Sequence, residues 1–257
     1  MQYIKYRVEN RIAYITLNRA DKRNALSFEV VTELHQAFSK AENDRNAKVV
    51  VLEGEGTAFC AGADLGYIQQ LQNNSYEENL DDSNNLKSLF YKIYTLQKVV
   101  IAKIQGHAIA GGAGLAAVCD YSFTVPEAKF GYTEVRIGFI PAIVMVFLIR
   151  KLGEGKAKEL LLHGGLVDAE TAWKMGLVNF VVDANELDKS VNEFAYELCS
   201  HNSGESMSMT KQMIAKVQGM SLEEGLDYAS SMNARARGNS DCQKGIAAFL
   251  NKEKLIW

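Results

Sequence analysis

Residues 99–115 read VVIAKIQGHAIAGGAGL, and this stretch decides the fold class. Five of its first six residues are apolar, with Lys103 the exception, and such a run is typical of a strand buried on both faces of an α/β sheet. Four glycines and three alanines follow between Gly106 and Gly114. They predict a turn into a helix whose first N–H groups face a ligand, at the strand end where α/β ligand sites lie. The alternative is that the small residues only permit close packing of helix on strand.

A second small-residue turn, TAFCAGADL at residues 57–65, also follows a predicted strand and precedes a predicted helix. Ala61, Gly62 and Ala63 would let a ligand approach the backbone closely. Free N–H groups at such a turn suit an oxyanion or a phosphate. The alternative is a tight turn in which Asp64 only caps the next helix.

A third segment, FGYTEVRIGFIP at residues 130–141, places Glu134 in a short polar island within apolar sequence. Apolar neighbours (Val135, Ile137, Phe139 and Ile140) would disfavour the charged carboxylate, so that Glu134 could act as an acid or base near neutral pH. The alternative is that Glu134 is exposed or paired with Arg136.

Around these segments the pattern predicts an α/β body over residues 1–200 and a helical tail over residues 201–257. Residues 69–85 are polar, so a helix is expected only over 86–96 of that region. The predicted strands are 3–7, 12–17, 48–53, 99–104, 121–125 and 177–182. The predicted later helices are 156–162, 169–175, 186–201, 205–217, 221–237 and 240–252.

Composition excludes several classes of protein. The 257 residues are 47% hydrophobic and 23% charged with a net charge of −3, as in a soluble globular protein. The pI of about 5.9 and the absence of a basic stripe argue against nucleic acid. No apolar window of about 20 residues predicts a membrane span, and no signal core begins the chain. Dispersed cysteines and histidines indicate a reduced, cytoplasmic setting and no metal site.

Taken together and in this order, the motifs resemble the crotonase superfamily, the enoyl-CoA hydratases and isomerases. The resemblance covers nearly the whole chain. It rests on ITLNR (15–19) with NAL (24–26), FCAGADL (59–65), AGG (110–112) with CD (119–120), KFG (129–131), Pro141, GLVN (176–179) and GIAAFL (245–250).

The resemblance implies a spiral of ββα units and a C-terminal helical tail that forms a homotrimer, or a dimer of trimers. It also implies an acyl-CoA thioester substrate, so that coenzyme A belongs to the substrate and no separate cofactor is expected. By this likeness the backbone N–H groups of Ala63 and Gly111 form an oxyanion hole. The implied coenzyme A site comprises Lys22, Arg23, Ala25, Ala61, Asp64, Leu65 and Gly112, with Phe249 and Lys252 from the last helix, in some members that of a neighbouring subunit.

The chain departs from the hydratase pattern at one catalytic position. Typical hydratases carry two catalytic glutamates; the second matches Glu134, but the first falls on Gly114. A glycine cannot hold or activate water, so two-carboxylate hydration is not expected. The glycine-rich run that usually follows Ile-Pro is also replaced by AIVMVF (142–147).

Two interpretations remain open within the family. One is an isomerase in which a single carboxylate moves a proton between C2 and C4. The other, which we favour, is a branch similar to bacterial methylglutaconyl-CoA and carboxygeranoyl-CoA hydratases, whose Glu-Val-Arg-Ile-Gly and Pro-Ala segments match residues 134–138 and 141–142. That branch would place the chain in leucine catabolism. An alternative from a different functional class is that the chain is a coenzyme A-binding protein of the same fold with weak activity. A nucleotide-binding α/β protein fails for lack of a glycine-rich phosphate motif after a strand.

Overall fold

The computed structural model describes residues 1–257 and contains ten strands and ten α-helices. The strands are β1 (Ile4–Glu9), β2 (Ile12–Leu17), β3 (Val49–Gly54), β4 (Ala58–Cys60), β5 (Val99–Ile104), β6 (His107–Ile109), β7 (Tyr121–Thr124), β8 (Lys129–Gly131), β9 (Leu166–Asp168) and β10 (Phe180–Val181). The helices are α1 (Phe28–Asn43), α2 (Leu65–Leu71), α3 (Tyr76–Thr95), α4 (Gly111–Val118), α5 (Ala142–His163), α6 (Ala169–Met175), α7 (Leu187–His201), α8 (Gly204–Val217), α9 (Leu222–Arg237) and α10 (Ser240–Leu250).

A six-stranded sheet in the order β1-β2-β3-β5-β7-β10 forms the centre of the molecule. β1 and β2 make the predicted antiparallel hairpin, and every other neighbouring pair in this sheet is parallel. The apolar runs of β3 and β5 lie at its middle, where Val49–Leu52 and Val100–Ala102 are fully buried. Parallel strands covered on both faces need no polar alternation, which is why these runs are continuous.

A second, four-stranded sheet in the order β4-β6-β8-β9 has strands of only three residues. In the chain, β3, β5 and β7 are each followed by one of its short strands and then by a helix. The repeated ββα unit that the resemblance implied is therefore present. The short strands themselves were not predicted, because three residues are too few to show a period.

Three predicted boundaries are wrong. The helix expected over 86–96 begins at Tyr76, because Ser75 and Glu78 form a capping box that starts it in polar sequence. The helix expected over 156–162 is the second half of α5, which bends at Gly153, where φ is 77°. The strand expected over 177–182 pairs over two residues only, at β10.

The helical tail packs against the body through α8, which contacts α3 and β5. Lys211 of α8 is buried, and its ammonium pairs with Asp120 at 2.6 Å and donates to the carbonyls of Ile93 and Lys98. None of the helices is both long enough and apolar enough to cross a membrane.

Candidate active site

The three predicted segments meet at one edge of the small sheet. β4 pairs with β6, and β6 pairs with β8, both in parallel. The carboxyl ends of parallel neighbours lie on the same edge of a sheet. The turn after β4 carries Ala63, the turn after β6 carries Gly111, and the segment after β8 carries Glu134. The topology thus brings together groups that are 71 residues apart at most along the sequence.

Two backbone donors at this edge have no partner within the chain. The N–H groups of Ala63 and Gly111 make no hydrogen bond, although their neighbours do: Asp64 N–H donates to Leu26 and Ala110 N–H donates to Gly131. Gly111 is the first residue of α4, so its N–H also lies at the positive end of the helix dipole. Ala63 is exposed and Gly111 half-buried, so an oxygen atom can reach both donors. Two such donors on adjoining turns are what the predicted oxyanion hole requires, and that role stays a prediction.

The two turns touch, and their backbone shapes depend on small residues. Gly62 has a φ of 88°, and a Cβ there would come within 2.8 Å of the Ala110 side chain. Ala110, the N-cap of α4, holds φ 52° and ψ −122°, which is strained for any residue with a side chain. Such strain is common at functional sites, and here it aims the next N–H, that of Gly111. Gly112 is needed for packing, because a Cβ there would lie 2.2 Å from the Cys60 carbonyl oxygen.

The loop of residues 22–25 borders the first turn, as the coenzyme A prediction requires. The Ala61 N–H of the turn donates a hydrogen bond to the Arg23 carbonyl of this loop at 3.0 Å. Buried Asn24 holds the loop in shape by donating to the carbonyls of Glu55 and Ala58, each at 2.9 Å. Lys22 and Arg23 are exposed, whereas Ala25 is buried. Two cationic side chains therefore stand in solvent beside the turn, where phosphate groups could reach them.

Asp64 has a structural role that its predicted ligand role did not include. It caps α2 by accepting from the N–H groups of Gly66 and Tyr67, and it pairs with Arg19 at 2.8 Å. The alternative interpretation of this residue as a helix cap is therefore confirmed. Leu65 begins α2 with 67% of its surface exposed, so it offers an apolar contact at the mouth of the site.

Glu134 lies at the start of a short 3-10 helix (Glu134–Ile137) that follows β8. Its Oε2 atom is buried and has no hydrogen-bond partner. Burial raises the pKa of this carboxyl above the ordinary value of a glutamate. Glu134 thus offers a half-buried carboxyl with an unpaired oxygen on the segment that follows β8, and β8 pairs with the strand that leads to Gly111. Such a carboxyl could exchange a proton with a ligand carbon or with water.

The surroundings of Glu134 differ from those predicted. Arg136 forms no ion pair with Glu134, so the alternative interpretation that paired these two residues is wrong. Ile137, Phe139 and Ile140 are 65%, 51% and 65% exposed, so they do not account for the burial of the carboxyl. On the strand side, Tyr132 is fully buried two residues before Glu134.

Comparison with known proteins agrees with this geometry. A family model described as enoyl-CoA hydratase/isomerase matches residues 7–257. A Thermus thermophilus relative, whose name assigns it provisionally to the enoyl-CoA hydratases, is 41% identical over 244 residues, covering 95% of this chain and 96% of the relative. The crotonyl-CoA hydratase of Syntrophomonas wolfei is 32% identical over 252 residues, covering 96% and 94%.

A solved structure from Legionella pneumophila, provisionally named an enoyl-CoA hydratase/isomerase (crotonase), is 36% identical with a TM-score of 0.88, covering 98% of this chain and 97% of that one. This chain belongs to the enoyl-CoA hydratase/isomerase family. It is therefore an enzyme of that family, with the crotonase fold.

At the family position of the first glutamate, the structure leaves no room for a side chain. A Cβ on Gly114 would lie 2.3 Å from Val144 Cγ1 and 2.8 Å from Phe90 Cε1. Val144 belongs to α5, in the stretch that replaces the usual glycine-rich run, and Phe90 belongs to α3. Apolar side chains therefore occupy the space that the first carboxylate would need.

Two predicted coenzyme A residues do not reach the site within one chain. α10 packs on α8 and α9, and its Phe249 is 83% exposed. Lys252 follows α10 in a left-handed conformation, with φ of 57°. Their predicted contact with coenzyme A from a neighbouring subunit stays a prediction.

Several side chains outside the predicted set shape the same region. Asn24 holds the 22–25 loop, Arg19 fixes Asp64, and the Tyr67 hydroxyl bonds to Asp82 so that α2 is tied to α3. His107 accepts a hydrogen bond from the Lys129 N–H at 3.2 Å. Sequence offered no signal for these partners, because each lies far along the chain from the residue it contacts.

Proposed function

We propose that this enzyme adds water to a 2-enoyl-CoA thioester, with Ala63 and Gly111 as the oxyanion hole and Glu134 as the sole acid/base. The observation that carries the proposal is the pairing of β4, β6 and β8, which places two unpaired N–H groups and a half-buried carboxyl with an unpaired oxygen after neighbouring strands. The relatives support hydration over other reactions of the family, since those of Thermus thermophilus and Syntrophomonas wolfei both bear hydratase names.

The oxyanion hole would stabilise the charge that develops on the thioester oxygen. As the water oxygen bonds to C3, the electrons of the C2–C3 double bond shift toward the thioester carbonyl and form an enolate. Negative charge therefore develops on the thioester oxygen. Two fixed N–H donors, one at a helix N-terminus, would then contribute several kcal/mol, since removal of one such donor costs ~3–4 kcal/mol in other enzymes.

Glu134 would carry the proton through both halves of the reaction. Its carboxylate takes a proton from the water as the C3–O bond forms, and the resulting acid returns that proton to C2. The product is a 3-hydroxyacyl-CoA, and the carboxylate is regenerated. The raised pKa suits a group that must both accept and release a proton.

For the acyl chain, we propose a branched or dicarboxylic enoyl group such as methylglutaconyl. The support is the match of residues 134–138 and 141–142 to that branch, together with Gly114. A carboxylate on the substrate could help to position water where the enzyme lacks its own second carboxylate.

A panel of thioesters tests both the proposed reaction, hydration, and the proposed preference for a branched or dicarboxylic acyl chain. Loss of the enoyl-thioester ultraviolet absorbance is followed with crotonyl-CoA, methylglutaconyl-CoA and a 3-enoyl-CoA. We expect hydration, with methylglutaconyl-CoA faster than crotonyl-CoA. Equal rates for these two would contradict the dicarboxylic preference alone, whereas tight coenzyme A binding without turnover of any thioester would favour the binding-protein alternative.

Isomerisation of a 3-enoyl-CoA is the second candidate, because the filled space at Gly114 leaves a single carboxylate. One carboxylate suffices to move a proton between C4 and C2. Conversion of the 3-enoyl-CoA without hydration of any 2-enoyl-CoA would select this interpretation.

We also propose that the enzyme is a homotrimer or a dimer of trimers, in which Phe249 and Lys252 reach the coenzyme A of a neighbouring subunit. The support is the exposed apolar surface of the tail, including Phe249, Leu222 and Leu226 at 83%, 81% and 62%. Light scattering should give three or six chains per particle, and Lys252→Ala should raise KM with little change in kcat. A monomer with full activity would contradict the proposal.

A further inference from the structure

Tyr132 combines complete burial with an unused polar atom. None of its surface is exposed, yet its hydroxyl has no hydrogen-bond partner. Buried polar groups in folded proteins are nearly always paired, so an unpaired one calls for an explanation, such as a ligand or an ordered water. A phenylalanine would fill the same volume without this penalty.

The position of Tyr132 links it to the site. It directly follows β8, whose last residue, Gly131, accepts the Ala110 N–H at 2.7 Å beside the oxyanion hole. Glu134 lies two residues further on, and its charge adds to the effect of burial in raising the pKa of Tyr132. The phenol and the carboxyl therefore lie within each other's field.

The two groups are complementary, yet they do not bond to each other. The Tyr132 hydroxyl and Glu134 Oε2 are two of only three buried side-chain polar atoms in the chain without a partner. Both atoms are closed to solvent in the free enzyme, so a small donor of two hydrogen bonds, such as water, would reach them only when the site opens around the bound substrate.

We propose that the Tyr132 hydroxyl, together with Glu134, holds the water that adds to the enoyl thioester and so supplies the second contact that Gly114 cannot give. This inference rests on the proposed hydratase function. One hydrogen of the water is donated to Glu134 Oε2 and is transferred as the C3–O bond forms. The other is donated to the Tyr132 oxygen and stays with the new hydroxyl, so that a lone pair of the water faces C3. Tyr132 itself undergoes no change in covalent bonding or charge.

The test separates the use of water from the use of the C2 proton. Hydration of the enoyl-CoA that the wild type turns over fastest is compared with exchange of the C2 hydrogens of butyryl-CoA in D₂O, which needs Glu134 and the oxyanion hole but no adding water. We expect Tyr132→Phe to lower kcat for hydration about 10- to 100-fold, as for the loss of one hydrogen bond to a reacting group. Exchange should stay within about twofold, and KM should not change.

Tyr14→Phe is the matched control, because it removes another buried tyrosine hydroxyl, one bonded to Asn192 on the far side of the body at 2.6 Å. Both rates should remain near those of the wild type. The product complex gives a second measurement: in a crystal structure with the 3-hydroxyacyl-CoA, the 3-hydroxyl should lie within hydrogen-bond distance of the Tyr132 oxygen.

Equal losses of hydration and exchange in Tyr132→Phe, or no loss of either, would overturn the inference and leave the hydratase function standing. A wild type that exchanges C2 hydrogens but hydrates no enoyl-CoA would overturn the proposed function and, with it, this inference.

Discussion

At the scale of single residues, Glu134 shows how position rather than composition creates a reactive group. The sequence contains 31 acidic residues, and nothing in the residue type distinguishes this one. It is distinguished by a half-buried site next to Tyr132 and by an Oε2 atom that no protein donor satisfies. Both features disfavour the charged form of the carboxyl.

The raised pKa of Glu134 predicts the pH dependence of hydration. The carboxylate must be ionised to take a proton from water, so kcat/KM should fall as the pH drops through the pKa of this group. Because burial raises that pKa, the acidic limb should lie above the usual range of a glutamate. A pH profile of kcat/KM measures it. A limb at or below the ordinary glutamate value would show that Glu134 is not the titrating base.

At the scale of secondary-structure elements, the small sheet positions the candidate site, and it was the part of the fold that the sequence predicted least. The apolar runs of β3 and β5 predicted the central sheet, because a strand of six residues, five of them buried, is long enough to show a pattern. The turns after β4 and β6 were also predicted, since only small residues fit there. The strands β4, β6 and β8 were not predicted. That Ala63, Gly111 and Glu134 belong to one site could be inferred only from the family resemblance. Contacts between distant residues leave no local pattern in a single sequence.

The packing of α4 against α5 predicts a specific loss of stability. A methyl group on Gly114 meets Val144 and Phe90 inside the core, so Gly114→Ala should lower the free energy of unfolding by about 1–3 kcal/mol. Gly155 is the matched control, since it lies in α5, is exposed, and would have no atom within 4 Å of an added Cβ. Gly155→Ala should be neutral or should stabilise by up to about 1 kcal/mol. Urea unfolding compares the two variants, and equal effects would contradict the close packing around Gly114.

At the scale of the whole molecule, an ion pair between buried Lys211 and half-buried Asp120 ties the helical tail to the α/β body. Asp120 accepts the Val100 N–H at 2.7 Å and the Lys211 ammonium at 2.6 Å. The pair borders a cavity of about 720 Å³ between α5 and α8, away from the oxyanion hole. Asp120 therefore has a structural role, in holding the tail on the body.

Removal of Lys211 should destabilise the fold, because the half-buried Asp120 carboxylate then keeps only the Val100 N–H as a donor. Lys211→Met should lower the free energy of unfolding by about 1–3 kcal/mol. Asp120→Asn/Lys211→Met should cost clearly less than the sum of the two single changes, since no uncompensated charge remains. A double-mutant cycle in urea measures the coupling. Additive effects would show that the two groups act independently.

The measurement that bears most directly on the proposed mechanism is the steady-state hydration rate of Glu134→Gln with the best enoyl-CoA substrate. If Glu134 is the sole acid/base, kcat should fall by about 10²- to 10⁴-fold while KM changes little, because the amide keeps the shape of the carboxyl but cannot exchange its proton. A kcat close to that of the wild type would remove Glu134 from the mechanism and contradict the central claim.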